Sequence, residues 1–335
     1  MNAPPATSIA VSVVIPCKNR TAMLRDCMRG LARQDLGLDR FEVVLVDNCS
    51  TEDLGVVADE ARALGLNLRL ARTPQDRGPA PARNLGVSLA SAPIIAFTDS
   101  DCRPTAPWLR TALAHFADPA IAFVGGPVLA KPEQQVTLTS RITFVTPAEH
   151  PTFPTANLLM RRDLFLSHGG FDTALSFVDP WDRTTECADT DLAWRMLKSG
   201  CARSFEPRAI VEHEVETQGL LMWFCDPSRL FVLPELLRRH PELRRELLTF
   251  NLFFYFPAAL LYLLLPALAV IAWYYPAALL LLPVVLLLRA IQRTRSLNPS
   301  KVGAQMVHTL AHIPRMLVMN ATLIYGSIRF RNLVL

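Results

Sequence analysis

The sequence predicts an α/β domain with a mainly parallel sheet flanked by helices, followed by a helical C-terminal part. Two observations carry this prediction. Short apolar runs alternate with longer helical patterns over the first hundred residues, which is typical of parallel strands joined by covering helices. Residues 250–288 then contain no charged side chain, unlike the rest of the chain. With 335 residues the chain exceeds one typical domain, so we expect at least two regions.

Most of the predicted strands are short apolar runs without an alternating polar face. They are Val11–Ile15, Glu42–Val46, Asn67–Ala71, Ile94–Thr98 and Ile121–Val124. The predicted helices have apolar positions at helical spacing. They are Thr21–Gln34, Glu52–Leu64, Pro81–Ala90 and, later in the chain, Thr190–Lys198. Because ligands of such sheets bind beyond the carboxyl ends of the strands, the segments to search for chemistry are Pro16–Arg20, Asp47–Thr51 and Asp99–Arg103.

Charge and cysteine content limit the classes of partner. Lys and Arg total 34 against 30 Asp and Glu, with the excess mainly in the C-terminal part. This distribution favours an anionic membrane surface over nucleic acid as a partner. The seven cysteines form no Cys-x-x-Cys pair, which argues against a disulfide framework or a zinc site and favours a reducing compartment. The first residues lack the basic segment and long apolar run of a signal peptide.

Three carboxylate positions are candidates for chemistry. Asp99-Ser100-Asp101 directly follows a predicted strand, where two carboxylates can share a divalent metal with phosphate oxygens. Asp189-Thr190-Asp191 lies at the start of a predicted helix, where a carboxylate can cap the helix or accept a proton. Asp47 follows another strand and can accept hydrogen bonds from a base or ribose, since Ser50 or Thr51 is the better predicted cap for the next helix.

Seven short segments between residue 11 and about residue 215 form an ordered set. They are Val11–Arg20, Phe41–Ser50, Gly78–Asn84, Ile95–Asp101, Asn157–Arg162, Gly169–Asp172 and Ala188–Arg195. Each segment alone is weak evidence, but together and in this order they resemble the motifs of glycosyltransferase family 2.

This resemblance implies a glycosyltransferase A-type fold, a nucleotide-diphospho-sugar donor, a divalent Mg or Mn ion and inversion at the anomeric carbon. It implies Asp189 as the catalytic base, with Asp191 as the competing candidate for that role. Asp101 and Asp99 are implied as metal ligands, and His213 either joins them or is a structural histidine. The residues implied on the donor side are Pro16, Asn19, Asp47, Arg83, Asp99 and Arg195. Those implied on the acceptor side are Asp191 and Gly170.

The chain departs from the family pattern at two positions. Ala188 stands where the family usually has Glu before the catalytic aspartate, and the nearest glutamate is Glu186. Asn48 stands where many members have a second Asp. Arg83 and Arg195 each have two interpretations, contact with the donor diphosphate or an ion pair within the protein.

We expect a catalytic domain over residues 1–218 and amphipathic juxtamembrane helices over 219–249. A transmembrane hairpin is predicted over 250–291, with its turn at Tyr274-Tyr275-Pro276, and an amphipathic or interfacial helix over 292–335. Both flanks of the hairpin are basic, which predicts by the positive-inside rule that the catalytic domain and the C-terminus face the cytoplasm. A re-entrant hairpin is the alternative, because its second arm is short.

The predicted function is sugar transfer to an acceptor hydroxyl in cell-envelope polysaccharide or glycolipid synthesis, with a glycan or a lipid-linked molecule as acceptor. A nucleotidyltransferase is an alternative enzyme, although no Gly-rich, lysine-ended loop follows Val11–Ile15. A catalytically inactive membrane scaffold with the same fold is the alternative outside enzymes. The donor nucleotide, the sugar and the acceptor depend on the shape of the binding site, which these motifs do not specify.

Overall fold

The computed structural model describes residues 9–142, 144–178, 183–254, 256–277 and 281–335, with only the backbone of residues 178, 256–263, 265 and 282. The chain forms two compact units. The first unit comprises Met1–Val136 with Arg141–Thr217, and the second comprises Thr137–Ser140 with Gln218–Leu335. The domain boundaries predicted from the sequence stay predictions.

Strands and helices alternate through most of the first unit. The strands of the chain are β1 (Val11–Cys17), β2 (Phe41–Asp47), β3 (Leu68–Arg72), β4 (Ile94–Phe97), β5 (Cys102–Pro104), β6 (Ile121–Gly125), β7 (Val128–Ala130), β8 (Ser140–Arg141), β9 (Leu158–Arg161), β10 (Ser176–Val178), β11 (Thr184–Glu186), β12 (Ala202–Phe205), β13 (Val211–His213) and β14 (Glu216–Thr217). The α-helices of this unit are α1 (Thr21–Ala32), α2 (Leu54–Ala63), α3 (Pro79–Leu89), α4 (Trp108–Ala114), α5 (Arg162–Ser167) and α6 (Ala188–Lys198).

Seven strands form the central sheet in the order β12-β6-β9-β4-β1-β2-β3. Neighbouring strands are parallel except at β9, which runs antiparallel to both β4 and β6. Every residue of β1 and β2 is buried, which explains why their sequences are apolar without alternation. The predicted α/β fold with a mainly parallel sheet is confirmed. A separate small sheet, β5-β13-β7, brings the end of β13 beside the segment that follows β4.

The approach of α3 to β1 depends on a glycine. A Cβ atom at Gly86 would lie 2.4 Å from Cγ1 of Val14, closer than real Cβ contacts come. Only a residue without a side chain therefore permits α3 to pack this closely against the sheet. This close packing places the first turn of α3 at the carboxyl edge of the sheet.

The cap of α2 differs from the prediction. Asp53 caps this helix, because its carboxylate accepts a hydrogen bond of 2.8 Å from a backbone N–H in the first turn. The predicted caps Ser50 and Thr51 are wrong, since both hydroxyls bond to Asn19 in the loop after β1. Residues near the end of β2 thus connect two loops instead of beginning the helix.

Asn157 is a buried amide at the end of a short 3₁₀ turn, and it is 1% exposed. Its Nδ2 donates to the carbonyl oxygens of Pro127 at 2.9 Å and Ala209 at 2.7 Å. Its Oδ1 accepts a bond of 2.8 Å from the indole Nε1 of Trp108. One side chain therefore joins the β6–β7 connection, α4 and the segment before β13.

The second unit is built around one long helix. Its helices are α7 (Leu220–Cys225), α8 (Leu233–Arg239), α9 (Leu243–Leu247), α10 (Phe256–Tyr274), α11 (Leu281–Thr294) and α12 (Pro299–Phe330). α12 packs against α7, α8, α11 and a 3₁₀ segment at Asp226–Val232. On α12, Arg315 lies 4.9 Å above the ring of Trp223 and bonds to Asp226 at 3.1 Å.

Among the described residues, no helix combines the length and the apolar character needed to cross a membrane. The transmembrane crossings predicted over residues 250–291 are therefore not supported, and residues 278–280 of that segment lie outside the described part of the chain. α10 and α11 occupy the two predicted arms, and α10 ends at Tyr274, where the turn was predicted.

The buried amide at position 157 provides a test of the fold. Asn157→Ala is expected to lower the free energy of unfolding by about 3 kcal/mol or more, because two carbonyls and one indole N–H lose their partner in a buried place. Urea denaturation followed by circular dichroism measures this change. Asn67→Ala, at an exposed position, is the control and should change stability by less than about 0.5 kcal/mol. Equal stability of both variants would contradict the role assigned to Asn157.

Candidate active site

The loop after β1 is joined to the loop after β2 by Asn19. This residue has a positive φ of 58°. Its Oδ1 accepts hydrogen bonds from the backbone N–H groups of Thr51 at 2.9 Å and Glu52 at 3.2 Å. The predicted donor residues Asn19 and Pro16, the latter in β1, thus lie at one edge of the sheet beside the end of β2. Asn19 uses its side chain to hold this edge together.

Asp47 ends β2 and is 5% exposed. Its Oδ1 accepts a bond of 2.7 Å from the Ser50 N–H, and its Oδ2 lies 3.1 Å from a guanidinium nitrogen of Arg72. The carboxylate therefore shapes its own turn, and its remaining acceptor capacity faces a mostly exposed arginine. Such a carboxylate can accept hydrogen bonds from a base or ribose, as the sequence predicts.

A second acidic residue at this edge, Asp76, was not singled out from the sequence. Its Oδ1 accepts bonds from Asn48 Nδ2 at 2.7 Å and from the Gly78 N–H at 3.1 Å, and its Oδ2 pairs with Lys18. Asn48, which replaces the family's second Asp, therefore binds a carboxylate that lies 28 residues later in the chain. No local signal in the sequence indicates this contact.

Arg83 lies on α3 between two carboxylates. Its Nη2 is 2.6 Å from Asp99 Oδ1, and its Nη1 is 3.5 Å from Glu186 Oε2, while its side chain is only 9% exposed. Burial by itself lowers the pKa of Arg83, but Asp99 and Glu186 outweigh this effect and raise it. Its Nε is buried and has no hydrogen-bond partner among the described residues. A buried, charged donor without a partner is uncommon in proteins, and an anionic ligand would satisfy it.

Glu186, at the end of β11, is the main site residue that the sequence did not place. Its Oε1 accepts a bond of 3.0 Å from the Ala80 N–H in the first turn of α3 and another from the Ser176 hydroxyl. Burial raises the pKa of Glu186, and the Arg83 guanidinium opposes that rise. Glu186 thus holds both the start of α3 and Arg83. Its position three residues before Asp189 was the only signal for it in the sequence.

Asp189 lies inside the first turn of α6, because this helix begins at Ala188 and not at the predicted Thr190. Its oxygens accept bonds from the backbone N–H groups of Thr190 at 2.8 Å and Thr155 at 3.4 Å. Burial raises the pKa of the Asp189 carboxyl, while these N–H groups and the Arg83 guanidinium oppose the rise. The charge of Asp189 therefore interacts with the charge of Arg83.

Asp191, Arg195 and Gly170 form a separate group. Asp191 is 2% exposed, and its Oδ2 lies 2.8 Å from Arg195 Nε. The other two nitrogens of Arg195 donate to the carbonyl oxygens of His168 and, at 2.7 Å, of Gly170. All three nitrogens of Arg195 are thus bonded within the protein, which matches the ion-pair interpretation of this residue. The guanidinium supports the Gly169-Gly170 turn, where both residues have positive φ.

One group of potential metal ligands occurs among the described residues, with its ligand atoms within 4.8 Å of one another: Asp101, Cys102 and His213. His213 reaches Asp101 because β13 pairs with β5, which sets His213 opposite Cys102. Nε2 of His213 lies 3.6 Å from Asp101 Oδ1. Burial raises the pKa of the Cys102 thiol well above its usual range, and Mg²⁺ and Mn²⁺ prefer oxygen ligands to thiolates, so Cys102 is a poor ligand for these ions.

The orientation of the His213 ring suits a metal ligand. Its Nδ1 lies 2.8 Å from the carbonyl oxygen of Glu214, and since a carbonyl only accepts, Nδ1 carries the proton. In the neutral ring the lone pair of Nε2 then faces Asp101, and a carboxylate with an imidazole suits Mn²⁺ or a similar ion. Asp101 Oδ2 lies 2.5 Å from the guanidinium nitrogen Nη1 of Arg20. Asp99 lies outside this ligand group and pairs with Arg83.

Comparison with known proteins shows what the chain is similar to. Residues 12–171 match the family model Glycosyl transferase family 2. The chain is 29% identical over 221 residues to the pre-mycofactocin glycosyltransferase of Mycobacterium tuberculosis, covering 62% of this chain and 43% of that protein. It is 27% identical over 227 residues to glycosyltransferase AglE of Haloferax volcanii, covering 64% of this chain and 75% of that protein. The chain thus spans less than half the length of the Mycobacterium relative.

Solved structures agree on the fold. The mannosyltransferase PcManGT from Pyrobaculum calidifontis, in complex with GDP-Man and Mn²⁺, has a TM-score of 0.54 and 20% identity, covering 96% of this chain and 86% of that chain. At this level of identity the likeness concerns the fold alone. The family predicted from the ordered motifs is confirmed for residues 12–171, which match glycosyltransferase family 2.

Proposed function

We propose that this chain transfers a sugar from a nucleotide-diphospho-sugar to an acceptor hydroxyl, with inversion at the anomeric carbon. The observation that carries the proposal is the buried Arg83, whose Nε has no hydrogen-bond partner among the described residues and which lies beside Asp99, Glu186 and Asp189. A buried cation with an unused donor suits a diphosphate, and a nearby carboxylate suits proton transfer. The complex of the structurally similar PcManGT with GDP-Man and Mn²⁺ supports a donor of this class.

The donor is proposed to lie along the carboxyl edge of β1, β2 and β4. Asp47 would accept hydrogen bonds from the base or ribose, and Arg83 would contact the diphosphate through Nε. Asp99 already neutralises Arg83, so its role in this proposal is to orient the guanidinium. Arg195, which the family resemblance implied on the donor side, instead acts on the turn at Gly170.

Asp101 and His213 Nε2 are the residues that would hold a divalent ion, Mg²⁺ or Mn²⁺. When bound, such an ion would neutralise negative charge on the leaving diphosphate. Arg20 would then have to exchange its contact with Asp101 for one with the donor or solvent, which its exposed position allows, since its side chain is 46% exposed. The presence of Mn²⁺ in the PcManGT complex supports this proposal.

Asp189 is the proposed catalytic base. During a direct displacement the acceptor oxygen forms a bond to the anomeric carbon while the bond from that carbon to the diphosphate oxygen breaks, and the hydroxyl proton passes to the Asp189 carboxylate. A carboxylate whose pKa is raised by burial is a stronger base than an exposed one. Asp191 is the weaker candidate, because its carboxylate is buried against Arg195.

Asp189→Asn is expected to keep donor binding near normal and to lower turnover by at least roughly 10²–10⁴-fold, because the change preserves size and removes the base. Isothermal calorimetry measures donor binding, after the donor has been identified by screening. Single-turnover assays of transfer measure the chemical step. Loss of binding in parallel with turnover would make Asp189 a donor or structural residue. Full activity would exclude it from the chemistry.

The pH dependence of turnover offers a second readout of the same residue. The base acts only when ionised, so turnover should fall as the pH drops through the pKa of Asp189. Since burial raises that pKa above the ordinary value of 3.8, the acid limb of the kcat profile should lie at a higher pH than 3.8. The limb should disappear from the residual activity of Asp189→Asn.

We expect Asp191 to contribute to the stability of the fold. Asp191→Asn is expected to lower the free energy of unfolding by about 2–3 kcal/mol, since it removes one partner of an ion pair that is buried on the aspartate side. Asp189→Asn is the matched control. Ionisation of Asp189 is disfavoured by its burial, so loss of that charge should cost less stability. Urea denaturation at pH 7 compares the two, and a larger loss in Asp189→Asn would reverse the assignment.

We further infer that the second unit associates with an anionic membrane surface on the cytoplasmic side. Trp273, Tyr274 and Tyr275 at the end of α10 are between 71% and 84% exposed. Apolar side chains along α11, such as Leu288, are also exposed, and Arg289 and Arg293 follow them on the same helix. Exposed aromatic and aliphatic residues beside arginines suit the interface of a bilayer with anionic lipids.

Vesicle flotation tests this association. The full chain should float with vesicles that contain phosphatidylglycerol and less with vesicles of phosphatidylcholine alone. Replacement of Trp273, Tyr274 and Tyr275 by Ser should reduce flotation, because the aromatic contacts with the interface are lost. Arg110→Gln, an exposed arginine of the first unit, is the control and should float like the unaltered chain. Failure of the unaltered chain to float with either vesicle would refute the association.

A further inference from the structure

A buried lysine close to the proposed metal site has no part in the function proposed above. Lys131 follows β7 and is 4% exposed. Its Nζ lies 2.6 Å from Asp26 Oδ2 on α1 and 2.7 Å from Glu214 Oε2. Burial of a lysine is unfavourable without partners of opposite charge, so a position of this kind calls for an explanation.

The charge of Lys131 is maintained by its two partners. Burial lowers the pKa of Lys131, but the hydrogen bonds and charges of Asp26 and Glu214 outweigh this effect and raise it. The ammonium group therefore stays protonated and holds two carboxylates from distant parts of the chain. One of these carboxylates belongs to the residue directly after His213.

Residues 131–134 also form hydrogen bonds with residues 213–215, the segment that begins with His213. The Lys131 N–H donates to the carbonyl oxygen of His213 at 3.1 Å. Gln134 binds the other carboxylate oxygen of Glu214 through Nε2, and its Oε1 accepts a bond of 2.7 Å from the Val215 N–H. Residues 213–215 are thus held by two side chains and one backbone group of the segment 131–134.

These contacts, together with the bond of 2.9 Å from the Glu214 N–H to the carbonyl oxygen of Asp101, set where the imidazole of His213 points. The acceptor of its Nδ1 proton is the carbonyl of Glu214, so the position of that peptide sets the rotation of the ring. Phe144 stacks on the ring with centroids 3.9 Å apart and planes 15° apart, which restricts tilting. If Glu214 moved, the Nδ1 contact would change and Nε2 would no longer face Asp101. Groups that orient a ligand in this way commonly change metal affinity by roughly 10–100-fold.

We propose that Lys131 is a positioning residue for metal binding: through Glu214 it fixes His213 so that Nε2 and the Asp101 carboxylate can share a divalent ion. This inference rests on the proposed metal-assisted function. Lys131 itself does not contact the ion or the donor in this proposal. Its effect passes through one ion pair and one backbone carbonyl.

The test measures binding of Mn²⁺ alone to the full chain, by electron paramagnetic resonance of the free ion during titration. Lys131→Met keeps the length of the side chain and removes its charge, and it should weaken Mn²⁺ binding by roughly 10–100-fold. Asp101→Asn should weaken binding at least as much, because it removes a ligand. Arg110→Met, which breaks an exposed ion pair with Asp35, should bind like the unaltered chain.

A double-mutant cycle separates positioning from general destabilisation. Glu214→Gln keeps the backbone carbonyl and the size of the side chain but breaks the pair with Lys131, so it should reduce Mn²⁺ affinity as Lys131→Met does. The double variant should show no further loss, since both changes break the same connection. Unfolding midpoints of all variants, measured by circular dichroism, show whether each is folded. If Lys131→Met does not fold, Glu214→Gln alone decides the question.

The outcomes distinguish this inference from the function on which it rests. If Asp101→Asn loses Mn²⁺ binding while folded Lys131→Met and Glu214→Gln retain it, the positioning role is overturned and the metal site stands. If the unaltered chain and Asp101→Asn bind Mn²⁺ equally, or neither binds it, the metal site is overturned and the role of Lys131 with it. Equal, non-additive losses in the two variants support the proposal.

Discussion

The buried guanidinium of Arg83 is the interaction on which the arrangement of the site depends. A cation that is 9% exposed requires opposite charges, and Asp99 and Glu186 supply them from the end of β4 and from β11. Glu186 also binds the first turn of α3, on which Arg83 lies. The ion pairs therefore bring a helix, a strand end and a hairpin to one place. Because the Nε of Arg83 keeps no partner among the described residues, this arrangement is completed by a ligand in our proposal.

Side-chain amides hold the loops of the site together. Asn84 donates to the carbonyl of Phe171 at 2.8 Å and accepts from its N–H at 3.0 Å, as a neighbouring strand would. Asn157 joins three segments in the same way, and Asn19 joins the loops after β1 and β2. Irregular backbone near the carboxyl edge thus satisfies its hydrogen bonds through side chains, which holds the loops without adding charge.

Aspartates that look alike in sequence have different environments. Asp189 and Asp191 lie two residues apart on α6, yet Asp191 is paired with Arg195, whereas Asp189 accepts hydrogen bonds from the backbone N–H groups of Thr190 and Thr155 and lies 3.5 Å from the Thr190 hydroxyl. Asp99 and Asp101 differ similarly, since one neutralises Arg83 and the other faces His213. In each pair one carboxylate bonds to a buried or half-buried arginine, Arg195 or Arg83, and the other is the one to which we assign a chemical role, although Asp101 also pairs with the exposed Arg20. Side chains that are close in sequence point in different directions on a helix or at the end of a strand, so two neighbouring aspartates contact different partners.

The sequence by itself determined the alternation of strands and helices, the parallel sheet, the family and the segments that carry the site, because apolar runs and short motifs are local properties. It also indicated Arg83, Asp101 and Asp189, whose surroundings the structure then described. The contacts that join Glu186, Asp76 and Lys131 to Ala80, Asn48, Asp26 and Glu214 were decided only by the tertiary structure, since these partners lie between 28 and 106 residues away in the chain. The cap of α2 was missed for the same reason, as Ser50 and Thr51 turn to Asn19 in another loop. The order and register of strands set such contacts, and no apolar pattern specifies them.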